Sequence, residues 1–246
     1  MRLGSFLIGA GIAVCAWAPA GWARSMSCAP PRSADPRLGE IDGNERLRWI
    51  DHRLGQEASK GRFWSNAWVI GIGAAGVGSL AAVPFVAPDN RIDWYTSAAS
   101  AAIGVVPFLL SPLAVTRDAP KLHAAVAAVP PDDEARVCAL LVDAEKKLAA
   151  AAADERWQQG WWIHAGNIAF NTGVLLFLGL GYHHWTSGII NGVSGAAVGE
   201  AIILTQPTGA IDDLGSYNRG DLGASSARVP ARRSFRWTNA ATLLTF

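Results

Sequence analysis

The sequence predicts an all-α membrane protein with four transmembrane helices, built as two tandem helical-hairpin repeats that are each preceded by an amphipathic helix. Half of the 246 residues are hydrophobic, and only 17% are charged. Soluble domains carry about 25% charged residues, so this balance is typical of a multipass membrane protein. Four apolar runs reach the roughly 20 residues needed to cross a bilayer. Most of the 11 tryptophans stand at the ends of these runs, where amphipathic rings prefer the headgroup level.

The N-terminal residues 1–23 are predicted to form a signal peptide. A positive start precedes an apolar stretch, and small residues follow where a signal peptidase cleaves. We expect cleavage after Ala23; an uncleaved anchor is the alternative, because no charge follows Arg2 in this stretch. Secretion would leave Cys28 and Cys138 in a compartment that permits a disulfide. Because they are far apart in the sequence, we expect them to be unpaired.

Residues 40–115 are predicted to form the first repeat. They follow a linker at residues 24–39 that is rich in Pro, Arg and Ser. Apolar residues at helical spacing predict an amphipathic helix at residues 40–60. Two apolar runs come next, at residues 68–87 and 94–115. The second run contains two prolines, and each removes a backbone donor, so we expect this crossing to be kinked.

Residues 132–207 are predicted to repeat this layout after a Pro-containing linker at residues 116–131. Acidic residues open the second amphipathic helix, as the helix dipole favours, and a run of alanines sustains it. The third and fourth crossings are predicted at residues 163–181 and 186–205. The chain then turns polar, and residues 208–246 are predicted to be a largely flexible tail.

Two rules disagree about the orientation in the membrane. A cleaved signal peptide places the mature N-terminus outside, and four crossings return the C-terminus to the same side. Lysine and arginine nevertheless concentrate in the long segments, with Arg91 alone in the short turns. The positive-inside rule would keep those long segments cytoplasmic. We follow the signal peptide and predict a bacterial inner-membrane protein whose long segments face the periplasm.

Small residues share one face of several predicted crossings. In lipid, helices associate through close backbone approach, which glycine and alanine permit. On the fourth crossing this face consists of Gly188, Gly192, Gly195 and Gly199. On the first and second crossings it consists of Gly71, Ala75, Gly78 and Ala82, and of Ser97, Ala101 and Gly104. We therefore predict helix–helix interfaces there, within one chain or between copies in a homo-oligomer.

Four polar residues are predicted to meet inside the second hairpin. His164, Asn167 and Asn171 share one face of the third crossing. Glu200 falls at a similar depth on the antiparallel fourth crossing. An ionisable residue inside a membrane is costly and should have a polar partner. The cluster is interpreted either as a clamp between two helices or as an ion, proton or substrate site.

Other chemistry is not indicated by the sequence. His183 and His184 occupy the turn between the third and fourth crossings, but adjacent side chains diverge and no third ligand is evident. We expect solvated histidines there, and an interhelical hydrogen bond from Asn191. The net charge of +1 argues against nucleic-acid binding. No cofactor, metal site or catalytic residue is predicted, which favours a protein that is not an enzyme.

The second hairpin carries two resemblances to known families. His164, Phe170-Asn171 and the stretch Gly192-Val193-Ser194-Gly195 resemble the His/Asn helix and GxSG motif of rhomboid intramembrane proteases, which implies a nucleophilic Ser194. The spacing leaves no room for the helix that rhomboids place between these motifs, and no histidine beyond the turn can serve as base. Residues 161–207 more closely resemble uncharacterised bacterial multipass membrane proteins with the pattern HxGNxxxN, LGLGY, SGxxN and VGEAxIxTQP. That resemblance implies no activity.

The sequence therefore favours an integral membrane protein that acts as a scaffold or partner-binding component. Its amphipathic helices and tail would be the binding surfaces. A small transporter or channel that uses the polar cluster is the alternative, and an intramembrane serine protease comes third. The expected partners are the lipid bilayer and proteins or further copies that contact the small-residue faces.

Overall fold

The computed structural model describes residues 26–223, and this part of the chain folds into helices without any β-strand. Seven α-helices follow one another: α1 (Gly43–Ala82), α2 (Arg91–Leu110), α3 (Ala114–Ala128), α4 (Glu134–Gln158), α5 (Trp161–Tyr182), α6 (Trp185–Thr205) and α7 (Gly209–Asn218). Short 3-10 helices occupy Pro36–Glu40, Val83–Phe85 and Pro88–Asn90. The predicted signal peptide and the last part of the predicted tail lie outside the described residues.

Four helices are long and apolar enough to cross a membrane, which confirms the predicted fold class. The C-terminal part of α1 pairs with α2, and α5 pairs with α6, so the crossings form two hairpins. The turn between α5 and α6 is tight because His183 adopts the left-handed backbone conformation, with φ 61°. Many large apolar side chains of the crossings point outward, as a bilayer requires; among them are Ile70, Val77, Leu109, Ile190 and Leu204.

The more polar helices pack together at the end of the hairpins that is opposite to their turns. This extramembrane domain comprises residues 26–60, 113–158 and 206–223, and it contains the start of α1 together with α3, α4 and α7. Packing of amphipathic faces stabilises such helices more than helix propensity does. The core consists of buried apolar side chains from all four helices, among them Ile50, Leu54, Leu122, Leu141, Leu148 and Ala210.

The first amphipathic helix and the first crossing form one continuous helix rather than two. α1 runs for 40 residues, because no proline interrupts the backbone between the predicted pieces. Gly61 lies at the junction, where a Cβ would be 2.9 Å from Thr116 Cγ2 and 3.1 Å from Leu113 Cδ1. Glycine therefore lets α3 begin close against α1. Before the third crossing the helix does break at Gln159-Gly160, as predicted.

The predicted linker at residues 116–131 instead contains most of helix α3. Pro120 lies inside this helix and cannot donate a backbone hydrogen bond, which is why the stretch looks like a connection. Val115 and Leu122 are nevertheless buried in the core of the domain. Burying such side chains contributes roughly 1.5–3 kcal/mol each, which offsets the roughly 3 kcal/mol that a proline inside a helix costs.

Parts of the predicted N-terminal linker and of the predicted flexible tail also belong to the extramembrane domain. Helix α7 folds back onto the domain and buries Asp213 and Tyr217. The backbone N–H of Asp35 donates to the carbonyl of Asn218 at 2.7 Å, which holds the linker beside α7. The polar composition of both segments concealed this packing, because their partners lie far away in the sequence.

Cys28 and Cys138 form a disulfide, so the expectation that they are unpaired is wrong. Their Cα atoms lie 5.4 Å apart, and the bond joins the N-terminal segment to α4 across 110 residues of sequence. Only the folded domain brings these two positions together, so sequence spacing could not reveal the pair. Cys28 is buried, which places the bond in the core of the domain.

The face of α1 that packs on α2 differs from the small-residue face that was predicted. A Cβ at Gly71 or Gly78 would meet nothing within 4 Å, whereas one at Gly76 would lie 3.0 Å from Ala101 Cβ on α2. The face predicted on α2 does include this contact. Because glycine and alanine occupy several sides of α1, composition alone could not select the side that faces α2.

Candidate functional site

The four predicted polar residues do come together between α5 and α6. His164 lies one turn into α5, and Glu200 lies near the end of α6. His164 Nδ1 and Glu200 Oε2 are 2.6 Å apart. The side-chain amide of Asn167 donates to Glu200 Oε1 at 2.9 Å. Both carboxylate oxygens of Glu200 are therefore hydrogen-bonded by residues of α5, as the matched depth of the two helices predicted.

The two asparagines extend this polar cluster along the hairpin. The amide of Asn167 also donates to the carbonyl of Ala196 on α6 at 2.9 Å. The amide of Asn171 donates to the backbone and side-chain oxygens of Asn167, each at 2.9 Å. Every side chain of the polar cluster thus has a partner, as an apolar environment demands. The imidazole–carboxylate pair can bind helices together, and it can also hold a proton.

Glycines on α6 make room for the polar cluster. All four predicted glycines face α5, where a Cβ would press against atoms of that helix; they are Gly188, Gly192, Gly195 and Gly199. A Cβ at Gly195 would overlap the amide of Asn171, and one at Gly199 would overlap the amide of Asn167. The glycine face and the polar cluster are therefore two halves of one interface.

Gly199→Ala should disrupt this interface. The added methyl group overlaps the Asn167 side chain, so either the helices separate or the amide leaves Glu200, and overpacking of this kind costs roughly 1–3 kcal/mol. Gly173→Ala on α5 is the matched control, because a Cβ there meets nothing within 4 Å. Thermal unfolding of detergent-purified protein measures both variants. Equal midpoints would contradict the close packing of α6 on α5.

A second polar group, which the sequence did not reveal, joins the two hairpins at their turns. His184 Nδ1 lies 2.8 Å from Asp93 Oδ1 on α2, and the Ser187 hydroxyl donates to Asp93 Oδ2 at 2.7 Å. His184 is therefore paired and half-buried rather than solvated, whereas His183 is exposed. Asp93 follows the polar turn residues Asp89 and Arg91, where an acidic side chain is expected to be solvated, and its partners are on another hairpin.

Asn191 makes the interhelical hydrogen bond expected of it. The Ser97 hydroxyl on α2 donates to Asn191 Oδ1 at 2.6 Å. Ser194, the candidate nucleophile of the rhomboid resemblance, instead donates to the carbonyl of Ile190 in its own helix at 2.6 Å. His164 is paired with Glu200 and not with Ser194. The arrangement therefore supplies no nucleophile–base pair at Ser194.

The extramembrane domain contains a buried polar network of its own. Arg46 is fully buried and donates from Nε to the Tyr217 hydroxyl at 3.0 Å, from Nη1 to the carbonyl of Cys28 at 2.8 Å, and from Nη2 to Glu145 Oε1 at 2.5 Å. The Tyr217 hydroxyl also donates to Glu145 Oε1 at 2.5 Å. This network ties α1, α4, α7 and the N-terminal segment together. Nothing in the local sequence around Arg46 distinguishes it from solvated arginines.

Glu155 on α4 binds the first turn of α7. Its carboxylate accepts from the backbone N–H groups of Ala210 at 3.3 Å and Ile211 at 3.1 Å. The pKa of Glu155 is raised to about 7, chiefly by burial; the two backbone donors lower this pKa, and the nearby carboxylates of Glu57 and Asp213 raise it. This side chain therefore changes its charge near neutral pH.

The chain was compared with known proteins, and no family model, curated protein or solved structure matches it. Within residues 26–223, no three His, Cys, Asp or Glu side chains are grouped so that they could hold a metal ion. The helices and contacts described above define the class of protein: an all-α membrane protein with two hairpins, an extramembrane helical domain and an intramembrane polar cluster.

Proposed function

We propose that the protein is a membrane-anchored scaffold whose extramembrane domain binds a protein partner. The observation that carries this proposal is the contrast between the two halves of the molecule. The polar side chains inside the second hairpin bond to one another, as expected of an anchor that needs a stable interface. The extramembrane domain has a separate core, a disulfide and a buried ionic network, as expected of a part that must keep its shape.

Helix α4 supplies the surface on which a partner would bind. Its inner face is buried in the domain core, while its outer face carries small apolar residues at the spacing of a second helical stripe, which the exposed Lys146 interrupts. Val142, at the middle of this stripe, is 46% exposed, and the others are exposed alanines: Ala135, Ala139, Ala149 and Ala153. Such a face suits close packing of another helix. Contacts between copies through small-residue faces of the crossings belong to the same proposal.

The proposal includes the orientation and the compartment. A disulfide persists in oxidising compartments and is rare in the cytosol. The Cys28–Cys138 bond therefore supports a bacterial inner-membrane protein with its extramembrane domain in the periplasm, as the predicted signal peptide requires. The resemblance of residues 161–207 to bacterial multipass proteins supports the same assignment. The excess of Lys and Arg in the long segments argues for the opposite orientation.

An internal duplication explains the layout and is part of the proposal. In both halves an amphipathic helix leads into two crossings and is followed by a further helix of the extramembrane domain. The first unit is α1, α2 and α3, and the second is α4, α5, α6 and α7. With two crossings per unit, both copies would have the same orientation, and a symmetry axis would run along the membrane normal. The polar cluster belongs to the second unit alone.

A small transporter or channel is the second candidate, and one observation favours it. Asn167 and Gly199 line a cavity of about 740 Å³ between the hairpins, so the polar cluster borders open space. A substrate or ion that entered this cavity would meet the amide that binds Glu200. Intramembrane acids mark transport pathways in many proteins, which gives this candidate a physical basis.

A photo-crosslinking residue at Val142 should capture the partner in intact cells. The side chain is exposed on the outer face of α4, so a bound helix would lie within reach of the probe. We expect one discrete band heavier than the protein, detected on blots of the tagged full chain. Ile70 on α1 is the matched control, because it is 70% exposed on an apolar crossing, where lipid rather than a protein partner is expected.

Two results would count against the scaffold. One is the absence of any Val142 adduct beyond those formed at Ile70. The other is ion or proton flux in proteoliposomes that Glu200→Gln abolishes, because the amide keeps hydrogen bonding in a clamp but cannot carry a proton. That second result would establish the transporter instead.

A further inference from the structure

The cavity between the hairpins lies at the depth in the membrane where a lipid could enter it. It extends from the roof formed by the ends of α3 and α4 down to Ile103 on α2 and Phe170 on α5. From Ile163 to Phe170 it follows α5 for about 10 Å, at 1.5 Å per residue. Trp64 and Trp157 line its upper part, and tryptophan prefers the headgroup level of a bilayer. The cavity therefore begins at that level and continues into the hydrocarbon.

A gap remains between the hairpins because they contact each other mainly at their two ends. At the turns they meet through Asp93 and His184. At the other end Trp64 and Trp68 of α1 donate to the Thr205 hydroxyl of α6, each at 3.2 Å. Between these two contacts the walls of the cavity are mostly apolar side chains: Ile103, Phe108, Phe170, Ile202 and Ile203. In a bilayer such walls require hydrocarbon against them.

One buried hydrogen-bond donor at the polar end of the cavity has no partner among the described residues. Gln206, which follows α6, is only 7% exposed, and its Nε2 has no hydrogen-bond partner within residues 26–223. A buried donor without a partner costs roughly 1–3 kcal/mol, so a bound acceptor would be favoured there. Gln206 lines the cavity together with Ser111 and Arg117. All three side chains carry hydrogen-bond donors.

Arg117 is the basic residue that lines this end of the cavity, and Asp154 is the acidic one. Arg117 donates only long bonds, of 3.3 and 3.4 Å, to its neighbour Asp118, and its side chain is exposed at the rim. Asp154 also lines the cavity, but its carboxylate is already engaged by the backbone N–H of Ala114 at 2.8 Å and by Gln158 at 3.1 Å. The guanidinium of Arg117 is therefore the group best placed to attract a ligand.

We propose that this cavity binds one phospholipid, with an acyl chain along the apolar walls and the phosphate against Gln206 and Arg117. A phosphate offers several acceptor oxygens and a negative charge, and both match the donors at the rim. Basic pockets between transmembrane helices bind anionic headgroups in this way. The bound lipid would fill the gap between the hairpins and couple them to the extramembrane domain.

Native mass spectrometry of the full-length protein tests this site. Delipidated protein is titrated with phosphatidylglycerol, and we expect one lipid to bind. Gln206→Leu removes the unpaired donor, Arg117→Gln removes the charge, and Ile103→Trp fills the apolar part. Each should weaken binding about tenfold, which corresponds to about 1.4 kcal/mol. Arg91→Gln and Ile70→Trp make the same changes outside the cavity and should bind as the unchanged protein does.

Three outcomes would overturn the proposal. The first is equal lipid binding by the cavity variants and their controls, which would mean non-specific association. The second is inorganic phosphate that displaces the lipid at similar concentration, which would mean that the acyl chain adds nothing. The third is a lipid-free dimer that Ile103→Trp dissociates, which would assign the cavity to a second copy of the chain.

Discussion

Arg46→Met should lower the free energy of unfolding of the extramembrane domain by about 3–5 kcal/mol. The side chain is fully buried, and its guanidinium binds Tyr217, Glu145 and a backbone carbonyl. Methionine fills similar volume but leaves the Glu145 carboxylate, which is 11% exposed, without its counter-charge. Removing one partner of a buried ion pair is costly because the other charge stays desolvated.

We also predict which part of the domain loses stability in Arg46→Met. Arg46 lies on α1, and the groups that it binds belong to α4, α7 and the N-terminal segment. α7 is short and has little core of its own, so it should detach first. Hydrogen exchange should therefore show α7 losing protection in Arg46→Met, while α5 and α6, which do not contact the network, keep theirs.

Arg48→Met is the matched control, since Arg48 is exposed on the same helix and loses the same charge. Chemical denaturation followed by circular dichroism gives the difference between the two variants. Arg46→Met combined with Glu145→Gln should recover part of the loss, because the stranded charge is then removed. If Arg46→Met unfolds like Arg48→Met, the network contributes nothing and the domain is held by its apolar core alone.

What the sequence predicted well follows from the membrane environment. A bilayer fixes the length of a crossing, so the ends of α5 and α6 lie within a few residues of their predicted positions. A tight hairpin then fixes relative depth, and this alone brought Glu200 to His164. Glycine at the 3.6-residue period identified the face of α6 that packs on α5, because helices in lipid associate through close backbone packing.

What the sequence missed depends on partners that are far apart in the chain. Arg46 and Tyr217 contact each other across 171 positions, and neither differs in local pattern from a solvated residue. The contact between Asp93 and His184 joins two hairpins whose relative placement no local signal determines. Helix α3 was hidden by Pro120, whose cost is offset by burial against helices from other parts of the sequence.

Replacing Cys28 and Cys138 by serine should lower the free energy of unfolding by about 2–4 kcal/mol. A disulfide restricts the unfolded chain, and the loop between these residues spans 110 positions. The chain-entropy model gives about 4.7 kcal/mol for a loop of about this size in a soluble protein. α1 and α2 cross the membrane within this loop and stay inserted when the domain unfolds, so both ends remain near one surface. The gain should therefore be smaller than for a soluble chain.

Treatment of the unchanged protein with a reductant is the control for this double variant. Reduction breaks the same bond without altering any other side chain, so both samples should unfold at the same temperature. A double variant that is much less stable than the reduced protein would mean that serine disturbs the core around Cys28, which is buried. A reduced protein as stable as the oxidised one would contradict the expected loss.

The same two cysteines decide the orientation in living cells. In the periplasm the bond should form, so a maleimide-linked polymer added to denatured cell protein should label neither Cys28 nor Cys138 until a reductant is present. A cytoplasmic domain would keep both thiols reduced, because glutathione and thioredoxin maintain them in that state. Labelling at both positions without reductant would therefore reverse the proposed orientation. It would also mean that the excess of Lys and Arg in the long segments, rather than the signal peptide, governs how the hairpins insert.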